Sequence, residues 1–175
     1  MLTTKPMSND SQSETPVAKH RHLSTRENLR VAAVDLIASA RREIMICCPA
    51  LDPALYNRAV VTDALGHFIA RQAHSRIRIV VEDTEHMLLS CVRLVELTRR
   101  YSDIIQIQRL GEPHRGLTEM FIVADGESCL YQQDITVMDA TLDVKFPQRA
   151  TALAQRFEKI WAASEPAPGL HNFRL

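Results

Sequence analysis

Few side chains in this chain are placed to do chemistry. His114-Arg115 joins an imidazole to a guanidinium, so His114 could attack a phosphorus atom while Arg115 holds its oxygens. The simpler expectation is that His114 caps a loop or meets a backbone carbonyl, and that Arg115 pairs with an acid such as Asp125 or Glu112. Pro113 favours a turn or extended entry to the pair and adds no evidence for catalysis. Cys47-Cys48 ends an apolar run, where α/β sheets often place ligands. No flanking cation or helix start would lower a thiol pKa there, so buried, inert cysteines are expected. His67, His74 and His86 share no metal-ligand spacing, nor do Cys47, Cys48, Cys91 and Cys129; neither a metal nor a cofactor is expected. Lys19, His20, Arg21, His22 and Arg26 could touch nucleic acid or acidic lipid, but without interleaved aromatics they read as a solvated tail.

The elements that position these groups follow from periodicity. Residues 1–22 lack periodic apolar residues and read as a disordered lead-in, with order beginning at Ser24. Ser24 and Glu27 fit a capping box ahead of a helical stripe of Leu29, Ala33, Leu36, Ile37 and Ala40. Ile44–Cys48 is a short unbroken apolar run, suited to a strand covered on both faces, and Asp52-Pro53 reads as loop. A helix over 58–73, a strand over 76–81, a helix over 84–101 and a strand over 104–110 follow. Residues 119–124 and 128–131 form a hairpin around Asp125-Gly126, a strong tight-turn pair. Residues 132–147 read as an irregular connection. A last helix starts at Pro147, turns Ala150, Leu153, Ala154, Phe157, Ile160 and Trp161 to one side, and is stopped by Pro166 and Pro168. The order α-β-α-β-α-β-β-β-α predicts an α/β fold, a mostly parallel mixed sheet flanked by helices.

The bulk composition narrows the function classes. A chain of 175 residues suits one core, here 23–165, with 166–175 as a tail. Lys+Arg and Asp+Glu are both 21, which argues against a dedicated polyanion binder while leaving room for a local basic patch. No apolar run is long enough to span a membrane and no secretory leader is read, so a reducing cytoplasm is expected.

The order of elements, closed by a helix with Phe157 and Trp161, resembles one half of the phospholipase D superfamily. That family's motif is His-x-Lys-x4-Asp, with Gly-Ser or Gly-Asn further on. The register that fits is Thr118-x-Met120-x4-Asp125, followed by Gln132-Gln133. Thr118 stands for the nucleophilic histidine, Met120 for the phosphate-binding lysine, and Asp125 alone matches. The chain also resembles an uncharacterised bacterial domain often found behind GNAT-type acetyltransferases, through His114-Arg115, Phe121 with Asp125, and Phe157-x-x-x-Trp161-x-x-Ser164-Glu165-Pro166. It has no Gln/Arg-x-x-Gly-x-Gly/Ala segment to hold coenzyme A, so acetyl transfer is not carried over. In the superfamily Asp125 would support the histidine; here shaping the Asp-Gly turn is the simpler task.

Threonine is not basic and methionine carries no charge, so catalysis by the family mechanism is not expected. A symmetric dimer would repeat the same defects. The leading expectation is a non-catalytic interaction domain for a partner protein or a phosphate-bearing ligand, with His114, Arg115, Thr118 and Asp125 as ligand-binding candidates. The alternatives are a divergent phosphodiesterase or nuclease using His114 and Arg115, a nucleic-acid-binding regulatory module, and an accessory unit to an acetyltransferase. A homodimer is plausible by analogy. A different imidazole–cation couple set within a deep cleft would overturn the non-catalytic reading.

Overall fold

In a computed structural model, residues 19–71 and 74–170 are described. Their centre is an eight-stranded sheet in the order β1-β7-β6-β5-β2-β3-β4-β8. Strands β2 (Glu43–Cys48), β3 (Arg76–Val81) and β4 (Ile105–Arg109) are parallel neighbours. Strands β5 (Met120–Ala124), β6 (Ser128–Gln132) and β7 (Ala140–Val144) run as an antiparallel meander from the other side of β2. The edges are β1 (Lys19–Leu23) against β7 and β8 (Glu165–Pro166) against β4.

Two cores lie on opposite faces of the sheet. Ile44, Ile46 and Cys48 join α1 (Arg26–Ser39), α3 (Ala59–Arg71) and α5 (Val92–Arg100) on one face. Met45 and Cys47 join Phe157 and Ile160 of α6 (Pro147–Ala162) on the other. Central strands buried on both faces need apolar residues at every position, which explains the unbroken runs in β2 and β5.

The Phe157–Trp161 stripe holds a charge as well as a core. Arg78 of β3 is only 4% exposed; its guanidinium lies 5.2 Å from the Phe157 ring centroid and 5.3 Å from that of Trp161. It donates to Glu43 at 3.0 Å and makes a two-pronged contact with Glu158, one bond at 2.9 Å. A buried cation needs such partners, and these hold Glu158 below the usual carboxylate range through its bond to Arg78.

Several expectations change. The segment from Lys19, expected to be a solvated tail, is edge strand β1, with His20 bonded to the buried Asp143 at 2.5 Å. Its partner β7 lies within the stretch expected to be irregular. Only Leu23 of β1 is buried, so the strand carries no local apolar signal and depends on distant pairing. The helix cap is Thr25, accepting from Asn28 N–H at 3.1 Å, not Ser24; Glu27 pairs with Arg30 instead. Pro53 is not loop: it opens the short helix α2 (Pro53–Tyr56), which Asp52 caps. The expected helix over 84–101 divides at Cys91 into α4 (Thr84–Ser90) and α5. Cys91 closes the first with its N–H and opens the second with its carbonyl, and is itself buried. In the expected tail, Ala167 is buried and bonded to Ile107. Residues 1–18, 72–73 and 171–175 lie outside the described residues. Among the described residues no helix is long and apolar enough to cross a membrane.

Candidate functional site

Asp125 and Gly126 both take positive φ, 56° and 69°, and the Glu127 N–H closes the turn on Ala124 at 3.0 Å. An Asp-Gly pair tolerates this backbone where most residues would be strained. The Asp125 carboxylate is turned to a second task. Its Oδ1 accepts from Arg42 N–H at 2.7 Å and Glu43 N–H at 2.9 Å, and its Oδ2 accepts from Arg41 N–H at 2.8 Å. It thereby ties the hairpin to the loop that starts β2.

Thr118 and Met120 lie at the other end of β5. Because β5 is antiparallel to β2, with Cys47 opposite Phe121, Met120 sits at the carboxyl end of the parallel strands beside Cys48. Met120 is buried and borders a pocket of about 330 Å³. Small-molecule sites start at about this size. Leu51, Leu55, Ile135 and Met138 make its walls largely apolar, and Gln132 lines it from the end of β6. The 133–139 segment is fixed over it: Gln132 Nε2 donates to Val137 at 2.8 Å, and Ile135 N–H donates to Thr118 at 2.9 Å. Thr118 itself is exposed, its hydroxyl 3.4 Å from the Gln133 carbonyl.

Arg26, Tyr56 and His86 also border this pocket. Arg26 and His86 are exposed at its mouth, and neither side chain has a partner among the described residues. Tyr56 is buried and its hydroxyl has no hydrogen-bond partner among the described residues. Leaving such a group unpaired costs about 1–3 kcal/mol. Desolvation holds its pKa well above the phenolic value. So an imidazole and a guanidinium do share a concavity. They lie on its solvent-exposed rim, with Met120 and leucines behind them, and no described carboxylate orients the His86 ring.

The four candidates from sequence are not brought together. His114 ends a 3-10 turn, Glu112–His114, and is half-buried; Arg115 is exposed. Neither borders the pocket, and neither side chain has a described partner. The expected ion pair of Arg115 with Asp125 or Glu112 does not form: Asp125 is engaged at the opposite end of the sheet, and Glu112 makes no described ion pair. Thr118 lies near the pocket without lining it. Sequence reasoning missed Tyr56, weighed Arg26 only within a solvated basic segment, and weighed His86 only as a metal ligand. One signal was available: an arginine in the first turn of α1, where the helix macrodipole disfavours a cation.

The thiols are held in their neutral form. Burial pushes Cys47 and Cys48 up to about 12 and Cys129 to about 11, and raises Cys91 as well. Among the described residues no three His, Cys, Asp or Glu side chains converge as a metal site would require.

The fold is that of phospholipase D proteins. The phospholipase D family member Nuc from Salmonella typhimurium is similar over 86% of this chain and 98% of its own, with a TM-score of 0.64 at 12% identity. NucT from Helicobacter pylori is similar over 86% of this chain and 99% of its own, with a TM-score of 0.59 at 12% identity. TrmBL2, an archaeal chromatin protein described with a novel mode of DNA binding, is similar over 89% of this chain, with a TM-score of 0.64 at 12% identity; the chain spans 56% of its length. No curated protein matches by sequence. The family model described as a domain of unknown function (DUF7931) matches residues 25–173, and the chain belongs to that family.

Proposed function

We propose that this chain is a non-catalytic ligand-binding domain of phospholipase D-like fold. The observation that carries the reading is Met120, an uncharged side chain at the lysine position of the motif, bordering a pocket at the carboxyl end of the parallel strands. Phosphoryl transfer needs a nucleophile and cations held against the same oxygens. Here the inner wall is apolar and the motif's histidine position is an exposed threonine. The test is turnover of bis(p-nitrophenyl) phosphate and of single- and double-stranded nucleic acid by wild type, His86→Ala and His114→Ala. Release no faster than without protein is expected. Saturable hydrolysis abolished by either substitution would overturn the proposal and favour a divergent phosphodiesterase.

A nucleic-acid-binding reading has one supporting observation. Arg41, Arg71 and Lys145 line a concavity of about 380 Å³ that includes no acid. Arg71 is already bonded to the Ala38 carbonyl at 2.9 Å, and Lys145 to Glu127 at 2.6 Å. Only Arg41 is left uncommitted, too little charge for strong phosphate binding. Retardation of DNA or RNA at low salt, weakened by Arg41→Gln, would favour it. An accessory role beside an acetyltransferase rests on family resemblance alone, and affinity capture with mass spectrometry tests it.

A further inference from the structure

We infer that the pocket beside Met120 takes a small amphipathic monocarboxylate, its head held at Arg26 and its apolar body lying among Met120, Leu51 and Met138. The inference rests on the non-catalytic reading of the same pocket and adds the chemical class of the ligand.

Three observations converge on that class. The first is charge. Arg26 and His86 are donors at the mouth with no described partner, and Arg26 stands in the first turn of α1, where a cation is disfavoured. An incoming anion relieves that arrangement, and the planar guanidinium fork matches a carboxylate.

The second is the apolar interior. Met120, Leu51, Leu55 and Met138 favour a hydrocarbon body, and a volume of about 330 Å³ limits the ligand to a small one. Nothing among these walls would compensate a second negative charge. Asp52 also borders the pocket, its Oδ1 accepting from Ala54 N–H at 2.9 Å, and would oppose any anion, a dianionic phosphomonoester more than a monoanion. A single negative charge at the rim is therefore favoured over two.

The third is Tyr56. Its buried hydroxyl is the one side-chain polar atom of the pocket lining that is both buried and unpaired among the described residues. A buried donor without an acceptor is rare in folded proteins. Less than 1 Å² of this hydroxyl is accessible, so a ligand oxygen would supply the acceptor only as the pocket wall yields on binding.

The experiment is calorimetric titration of the full chain with decanoate, decan-1-ol and dimethyl phosphate, each below any aggregation threshold. Decanoate is expected to bind one per chain, more tightly than either of the others. Arg26→Gln should weaken decanoate about tenfold, in line with one solvent-facing charge-assisted contact, and leave decan-1-ol unchanged. Tyr56→Phe should weaken it severalfold. Met138→Trp, which fills the pocket, should abolish binding while far-UV circular dichroism shows the fold retained. Absence of saturable decanoate binding by folded wild type would overturn the inference, as would equal affinity in Arg26→Gln and Tyr56→Phe. Tighter binding of dimethyl phosphate than decanoate would also overturn it while leaving the non-catalytic reading intact. Hydrolysis of bis(p-nitrophenyl) phosphate would remove that reading without bearing on which anion binds.

Discussion

The two ends of the central sheet treat their polar groups in opposite ways. At the turn end, both oxygens of Asp125 are bonded to backbone, three N–H groups between them. At the rim end, Arg26, His86 and Tyr56 border a pocket, and neither the two basic side chains nor the buried Tyr56 hydroxyl has a described partner. The only position matching the His-x-Lys-x4-Asp motif is therefore the one that builds the hairpin. A carboxylate engaged by three backbone donors is committed to the hairpin, and it lies at the wrong end of β5 to orient an imidazole at the pocket. Saturated groups make architecture; unsatisfied ones beside a cavity mark where a ligand would bind.

That contrast can be broken by substitution. The largest effect is expected in a third, fully satisfied region, the Arg78 clamp. Arg78→Ala should lower unfolding free energy by about 3 kcal/mol, since it removes a buried cation from two acids and two rings. Acid sensitivity should change with it. Glu158 is depressed in the folded state by its bond to Arg78, so its contribution is fully present above its ordinary value of 4.5 and lost as pH falls through the lower folded value. Wild type should therefore show a loss of stability below pH 4.5 that Arg78→Ala lacks, read from urea denaturation at each pH.

Asp125→Ala comes next, at about 2 kcal/mol, from three backbone donors left without their acceptor and a side chain at positive φ that alanine tolerates poorly. A change under about 0.5 kcal/mol, the range of an ordinary surface substitution, would mean the turn end is not saturated as described. Tyr56→Phe should be neutral or stabilising by up to about 1 kcal/mol, because it removes an unpaired buried hydroxyl. A clear destabilisation in thermal melts would show that the hydroxyl has a partner. Thr118→Ala should fall within about 0.5 kcal/mol of wild type, since its hydroxyl is exposed and its one contact is long.

The sequence made the central architecture readable and left the site obscure, for physical reasons. The β2 and β3 runs, the Asp-Gly turn and the α6 stripe are local patterns set by periodicity and turn chemistry. β1 was not readable, because it is held by pairing with β7 across more than a hundred residues; β7 pairs with the nearby β6 as well, but its own five residues alternate weakly. The break at Cys91 was hidden because the apolar spacing runs straight through it. The pocket draws on α1, the loop after β2, α2, α4, β5 and the segment after β6, so no spacing in the chain announces it. Thr118 and Met120 could be matched to a motif from sequence; that Arg26, Tyr56 and His86 share one concavity could only be found once the chain was folded.

The central claim is that the domain would bind a ligand without any of its histidines forming a bond to phosphorus. Intact-mass spectrometry of the protein after prolonged incubation with excess bis(p-nitrophenyl) phosphate at mildly acidic and neutral pH tests this most directly. An unchanged mass is predicted. A phosphoryl adduct that maps to His86 or His114 would contradict it.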